Sequence, residues 1–178
     1  MTVLIRPVTE LDHCRGRSDA PAVLVEYGDF ECPHSGAAFT IVQQLRATLG
    51  DAMCHVFRHF PLTYSHPHAE DAAEAAEAAG AQGRFWEMHD VLFTHQHALG
   101  QDDLIQYAIL LQLDVMWFRR VLARQRFANR IREDMITGAR SGVYGTPTFF
   151  INGQRYDGPH TYASMLAQIE RALRRQAA

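Results

Sequence analysis

The chain has 178 residues, 47% hydrophobic and 21% charged, with a net charge of −3, an ordinary composition for about one domain with a buried core. That balance argues against a general nucleic-acid binder, and the absence of lysine among the 17 basic residues is a compositional bias. No apolar stretch approaches the ~20 residues of a membrane span, and the opening segment is too short an apolar run for a signal peptide. Three cysteines at irregular spacing form no disulfide framework, so the expectation is a cytoplasmic protein with free thiols and no membrane partner.

In chain order, residues 1–20 read as an edge strand or extended arm, with Val3-Leu4-Ile5 and Val8 ahead of a polar stretch. Cys14, between His13 and Arg15, is expected to be a partly exposed bystander; a remote resolving thiol is the sharper alternative. Residues 22–27 are nearly continuous and β-branched, as in a strand buried on both faces. Phe39, Val42, Leu45 and Leu49 then recur at helical spacing until Gly50. The run from Met53 to Phe60 is a second strand ended by Pro61, and a right-handed crossover makes the two parallel. Cys54 inside it reads as a small buried hydrophobe.

Pro67 opens a helix with Ala69, Ala72, Ala73, Ala76 and Ala79 on one face and Glu70, Glu74 and Glu77 on the other, ended by Gly80 and Gly83. Helical patterns follow over 85–96, over 102–111 with Asp102 as a cap, over 114–124 and over 127–139. About 75 consecutive residues are thus helical with no strand among them. The sheet resumes over Gly145–Tyr156, with Asn152-Gly153 between two strand-like runs marking a tight type I′ hairpin. A last helix carries Tyr162, Met165, Leu166, Ile169 and Leu173 on one stripe.

The chemistry concentrates at Cys32-Pro33-His34-Ser35, where the first strand ends and a helix begins. Unpaired backbone N–H groups and the positive end of the helix dipole favour negative charge there, so the position favours a thiolate. Pro33 suits a first helical turn, and a protonated His34 would push the same way. Crevices at the carboxyl ends of parallel strands are where α/β sheets place their sites.

These residues resemble the active site of the DsbA-like branch of the thioredoxin superfamily, whose pattern is Cys-x-x-Cys opening the first helix; Ser35 stands where the resolving cysteine would be. The likeness runs from about Asp12 to Arg175. It implies an α/β thioredoxin fold with an inserted all-helical subdomain, the core over 12–62 and 142–178 and the insertion over 63–141. It also implies that Thr146-Pro147 is the cis-proline loop facing Cys32, with the Thr146 backbone pairing substrate. Glu26 would be the acidic residue beneath the site, exchanging protons with it or serving as a structural carboxylate.

A thiolate at Cys32 can attack a disulfide and form a mixed disulfide, but Ser35 cannot resolve it; its hydroxyl is expected to donate to the Cys32 sulfur. Release then needs glutathione as co-substrate, a second thiol of the substrate, or Cys14. The expectation is therefore a thiol–disulfide oxidoreductase or isomerase acting on protein, peptide or glutathione mixed disulfides through Cys32. A redox-inactive thioredoxin-fold peptide-binding module is the alternative that Ser35 motivates. A glutathione transferase of the kappa class would share the fold, but that class has serine where Cys32 stands. No bound cofactor is expected. The His66/His68 and His95/His97 pairs lack the cysteine partners of a zinc site. The aromatic pairs Phe85-Trp86 and Trp117-Phe118 read as core. The oligomeric state does not follow from the residues.

Overall fold

The computed structural model describes residues 2–176. It begins with β1 (His13–Arg15) and β2 (Ala22–Gly28), followed by α1 (Pro33–Leu49) and β3 (Met53–His59). Five helices come next, α2 (Ala69–Gly80), α3 (Phe85–Thr94), α4 (Gln101–Leu110), α5 (Val115–Ala123) and α6 (Ala128–Arg140). The chain closes with β4 (Thr148–Ile151), β5 (Gln154–Tyr156) and α7 (Tyr162–Gln176).

The strands form one sheet in the order β1-β3-β2-β4-β5. β2 runs parallel to β3 and antiparallel to β4, the parallel pair being joined through α1 as a crossover requires. Side chains alternate faces along a strand. Ala22 and Leu24 accordingly pack with Val42 and Leu45 of α1 and Met165 and Ile169 of α7, whereas Val25, Tyr27, Val56 and Phe150 pack on the opposite face. β2 is therefore apolar throughout because both faces are covered. The insertion is not a separate core: Phe30 and Phe57 join Met88, Leu92, Phe93, Leu104 and Phe118 in one cluster, which locks the helices to the strand end carrying the site.

Asn152 and Gly153 both adopt positive φ, 48° and 77°, as a type I′ turn demands. The Asn152 side chain also accepts from Val23 N at 2.7 Å and donates to Pro21 O at 3.1 Å, pinning the hairpin to the start of β2.

Five sequence expectations are corrected or narrowed, the first being the place of the N-terminal edge strand. The strand of the N-terminal segment is His13–Arg15, antiparallel to β3, while Val3 makes a single bridge to Gln154 at the other sheet edge. Local hydrophobicity could not choose between two edges. Cys14 and Cys54 are joined in a disulfide, so neither is a free thiol and Cys14 is not available as a resolving thiol. Pairing of β1 with β3 brings together sulfurs 40 residues apart.

The Glu face of α2 is the third. Glu74 and Glu77 are 1% and 4% exposed, because α3, α4, α5 and α6 all pack on α2. Glu77 Oε1 accepts from His13 Nε2 (2.9 Å), His59 Nε2 (2.9 Å) and Arg130 Nε (2.7 Å), and Glu74 Oε2 accepts from Phe127 N at 3.0 Å. An Ala-and-Glu pattern reads as amphipathic only if one side meets water. The fourth is the cap of α4, which is Gly100, its N–H donating to Asp103 Oδ2; Asp102 lies in the first turn. α2 also starts at Ala69, two residues after Pro67.

Candidate active site

Cys32 is the N-cap of α1, with extended backbone and Pro33 at the first helical position. A turn closed by Cys32 N donating to Asp29 O at 3.1 Å presents it, and Gly36 N returns a bond to Cys32 O at 3.0 Å. The cysteine is 4% exposed, and its Sγ–H donates to Thr146 O at 3.3 Å. The Thr146–Pro147 peptide is cis. The two segments thus meet across the carboxyl end of the sheet, although 114 residues separate them. His34 is exposed on the outer side of the first turn.

Ser35 departs from expectation. It is fully buried, and its Oγ accepts from Asp29 N at 3.4 Å; among the described residues it makes no bond to the Cys32 sulfur. The side chain one helical turn along from the N-cap is drawn under the turn because Asp29 N is a donor that needs a partner there.

Glu26 lies on the face of β2 shared with Gly28, 1% exposed. Its Oε2 accepts from His55 Nε2 at 2.9 Å, while Oε1 has no hydrogen-bond partner among the described residues and lies on the side of Gly28, toward the strand end that leads to Cys32. His89 is buried nearby, its ring 6.1 Å from that of His55. Burial pushes His89 down to about 4, against the bond with Asp90, so its ring is neutral near pH 7.

Three residues to which the sequence assigned no part in the turn organise it. Asp29, 2% exposed, accepts from Glu31 N at 2.8 Å through Oδ1. Its Oδ2 accepts from Leu62 N at 2.8 Å and His66 Nδ1 at 2.7 Å, so His66 serves as a tether for the loop after β3. Gln96, just past α3, donates to Phe30 O at 2.8 Å and Cys32 O at 2.9 Å. Asp29 had a detectable signal, an aspartate two residues before Glu31 as in an Asx-turn; nothing local marked His66 or Gln96. Phe85 and Phe118 are core, with Trp86 and Trp117 packed against it.

No group of three or more His, Cys, Asp or Glu side chains is placed to hold a metal among the described residues. Among them, too, no helix is long and apolar enough to cross a membrane.

Comparison with known proteins agrees with this geometry. The family model described as Thioredoxin matches residues 9–171. Among solved structures, oxidised BdbD from Bacillus subtilis superposes with a TM-score of 0.85 at 22% identity, covering 97% of this chain and 98% of that one. A thioredoxin-like oxidoreductase from Silicibacter pomeroyi gives 0.83 at 24% identity over 96% and 95% of the two chains, and alpha-DsbA1 of Wolbachia pipientis gives 0.81 at 20% over 97% and 95%. At these identities the likeness is one of fold. Curated relatives include Na(+)/H(+) antiporter NhaA 3 of Salinispora tropica, 48% identical over 91% of this chain and 25% of that protein. Another is Na(+)/H(+) antiporter NhaA 1 of Mycobacterium sp. strain KMS, 45% identical over 94% and 28%. The chain spans about a quarter of the length of the curated relatives it matches.

Proposed function

Because this chain belongs to the thioredoxin family, with the helical insertion of its DsbA-like branch, we propose that it carries out thiol–disulfide exchange through Cys32 alone. The observation that carries the reading is the free Cys32 at the N-terminus of α1 with its sulfur against the carbonyl of Thr146, next to cis Pro147. The Cys32 thiolate attacks one sulfur of a protein, peptide or glutathione disulfide. An S–S bond forms at Cys32 as the substrate S–S breaks, and the second substrate sulfur leaves as thiolate and takes up a proton. With Cys14 tied to Cys54 and serine at 35, an external thiol such as glutathione attacks the mixed disulfide, returning Cys32 to the thiolate. The thiol supplied from outside ends up in the new disulfide, so electrons balance without a bound cofactor.

The buried Ser35 favours a second reading, a peptide-binding module that captures partners without turning over. The antiporter names of the relatives describe proteins about four times longer than this chain, and the reading proposed here concerns this domain alone. The test is reduction of a glutathionylated peptide by glutathione, comparing wild type with Cys32→Ala. Turnover that requires Cys32 supports the enzyme. Equal rates with retained peptide binding support the module.

A further inference from the structure

Gln96 belongs to the helical insertion, yet both hydrogens of its carboxamide end on the active-site turn, one on Phe30 O at 2.8 Å and one on Cys32 O at 2.9 Å. Carbonyls only accept, so this pair of partners fixes which end of the amide faces the turn. The other end, Oε1, rests over Gly36, where a Cβ would collide with it. Gly36 in turn donates its N–H to Cys32 O. The side chain therefore occupies the one notch in the first turns of α1 that lacks a side chain, and from it reaches the carbonyls two residues before and at the nucleophile. α3, which delivers Gln96, is held against the site by Phe93, stacked on Phe39 of α1 at 5.3 Å and packed against Phe30 at 4.9 Å.

We propose that Gln96 is a positioning residue for Cys32: it clamps the turn from the insertion side and holds the Cys32 sulfur in place at the start of α1, against the Thr146 carbonyl. The consequence is that the insertion, besides covering the sheet, sets the reactivity of the thiol. The proposal rests on Cys32 being the reactive group, though not on any particular disulfide substrate. It predicts an order among variants that volume alone does not. Gln96→Glu preserves size but turns a carboxylate oxygen toward two carbonyl oxygens, so it does more harm than Gln96→Ala. Gly36→Ala favours the helix but displaces the carboxamide from its notch.

The test is the rate of Cys32 alkylation by iodoacetamide at fixed pH, together with amide hydrogen exchange across residues 29–36, in the three variants of the 178-residue chain. Gln96→Ala and Gly36→Ala are expected to slow alkylation and speed exchange of the turn by roughly five- to tenfold, the range of one or two lost hydrogen bonds. Gln96→Glu should go further, with the exchange of α4 and α5 unchanged in all three. Alkylation that is unchanged or faster in Gly36→Ala, the variant whose helix propensity is improved, overturns the proposal; so does turn exchange equal to wild type. Because alkylation needs no disulfide substrate, failure of the glutathionylated-peptide assay with this order intact would remove the exchange reading and leave the clamp standing.

Discussion

Glu26 and His55 meet diagonally across the parallel β2–β3 pair, Oε2 to Nε2 at 2.9 Å with both side chains 2% exposed. The register sets Leu24 opposite His55 and Glu26 opposite Phe57, so the contact uses the longer diagonal that extended polar side chains can span. Removing one member leaves the other buried without its partner. His55→Leu is expected to cost about 3 kcal/mol or more in urea unfolding, and the double variant Glu26→Leu/His55→Leu should recover most of that loss. Additive losses would show that the two residues do not work as a pair.

Glu74 should govern part of the pH dependence of stability. Burial pushes its carboxyl up to about 7 from 4.5, outweighing the bond from Phe127 N, and the neighbouring Glu77 adds to the shift. In the unfolded chain the group ionises near its ordinary value, whereas in the folded protein it holds its proton to about 7. Stability therefore falls as pH rises between about 4.5 and 7, by up to ~3 kcal/mol. Glu74→Gln should flatten this part of the curve and be the more stable protein at pH 8. Glu77 runs the other way. Burial opposes its charge, but the bonds from His13 and His59 outweigh that and hold the carboxyl well below its usual range. Its stabilisation is complete above the ordinary carboxylate value and is lost as pH falls below it, so Glu77→Gln should weaken the acid limb of the same curve. Chemical denaturation at a series of pH values reads both.

The Cys14–Cys54 disulfide predicts a thiol count. Denatured, unreduced protein should titrate one thiol, Cys32, and three after reduction. Closing a loop of 40 residues stabilises by roughly 3–4 kcal/mol on the chain-entropy account, so Cys14→Ser should lower the thermal midpoint while leaving Cys32 alkylation unchanged. Three thiols without reductant would mean that the pair is open in solution.

Ser35→Cys would place a second thiol one helical turn from Cys32, on the same face of α1. A peptide trapped on Cys32 should then leave without added glutathione, whereas wild type holds it until an external thiol is supplied. Mass spectrometry of the trapped complex over time distinguishes the two. Persistence of the complex in the variant would place the block in geometry and not in the missing thiol.

Much of this protein follows from local pattern. The strand-to-helix switch at Cys32, Pro33 at the first helical position and Asn152-Gly153 at a type I′ turn are each dictated by neighbouring residues, because periodicity and backbone sterics act over a few positions. The buried β2 run and the string of helices between β3 and β4 follow from the same short-range rules, and the resemblance of Cys32-Pro33-His34 pointed to the right family.

Tertiary structure decided what depends on partners distant in sequence. Whether Glu74 and Glu77 meet water depends on four other helices closing over α2. That Cys14 bonds Cys54 depends on β1 taking the edge beside β3 while Val3 takes the opposite edge. Gln96, His66 and Asp29 become a clamp on the active-site turn only after the insertion folds onto Phe30 and Phe57. Local sequence marks which groups are polar or apolar. Burial and hydrogen-bond satisfaction, which turn such groups into buried acids, tethers and clamps, are settled only when separate segments of the chain are packed together.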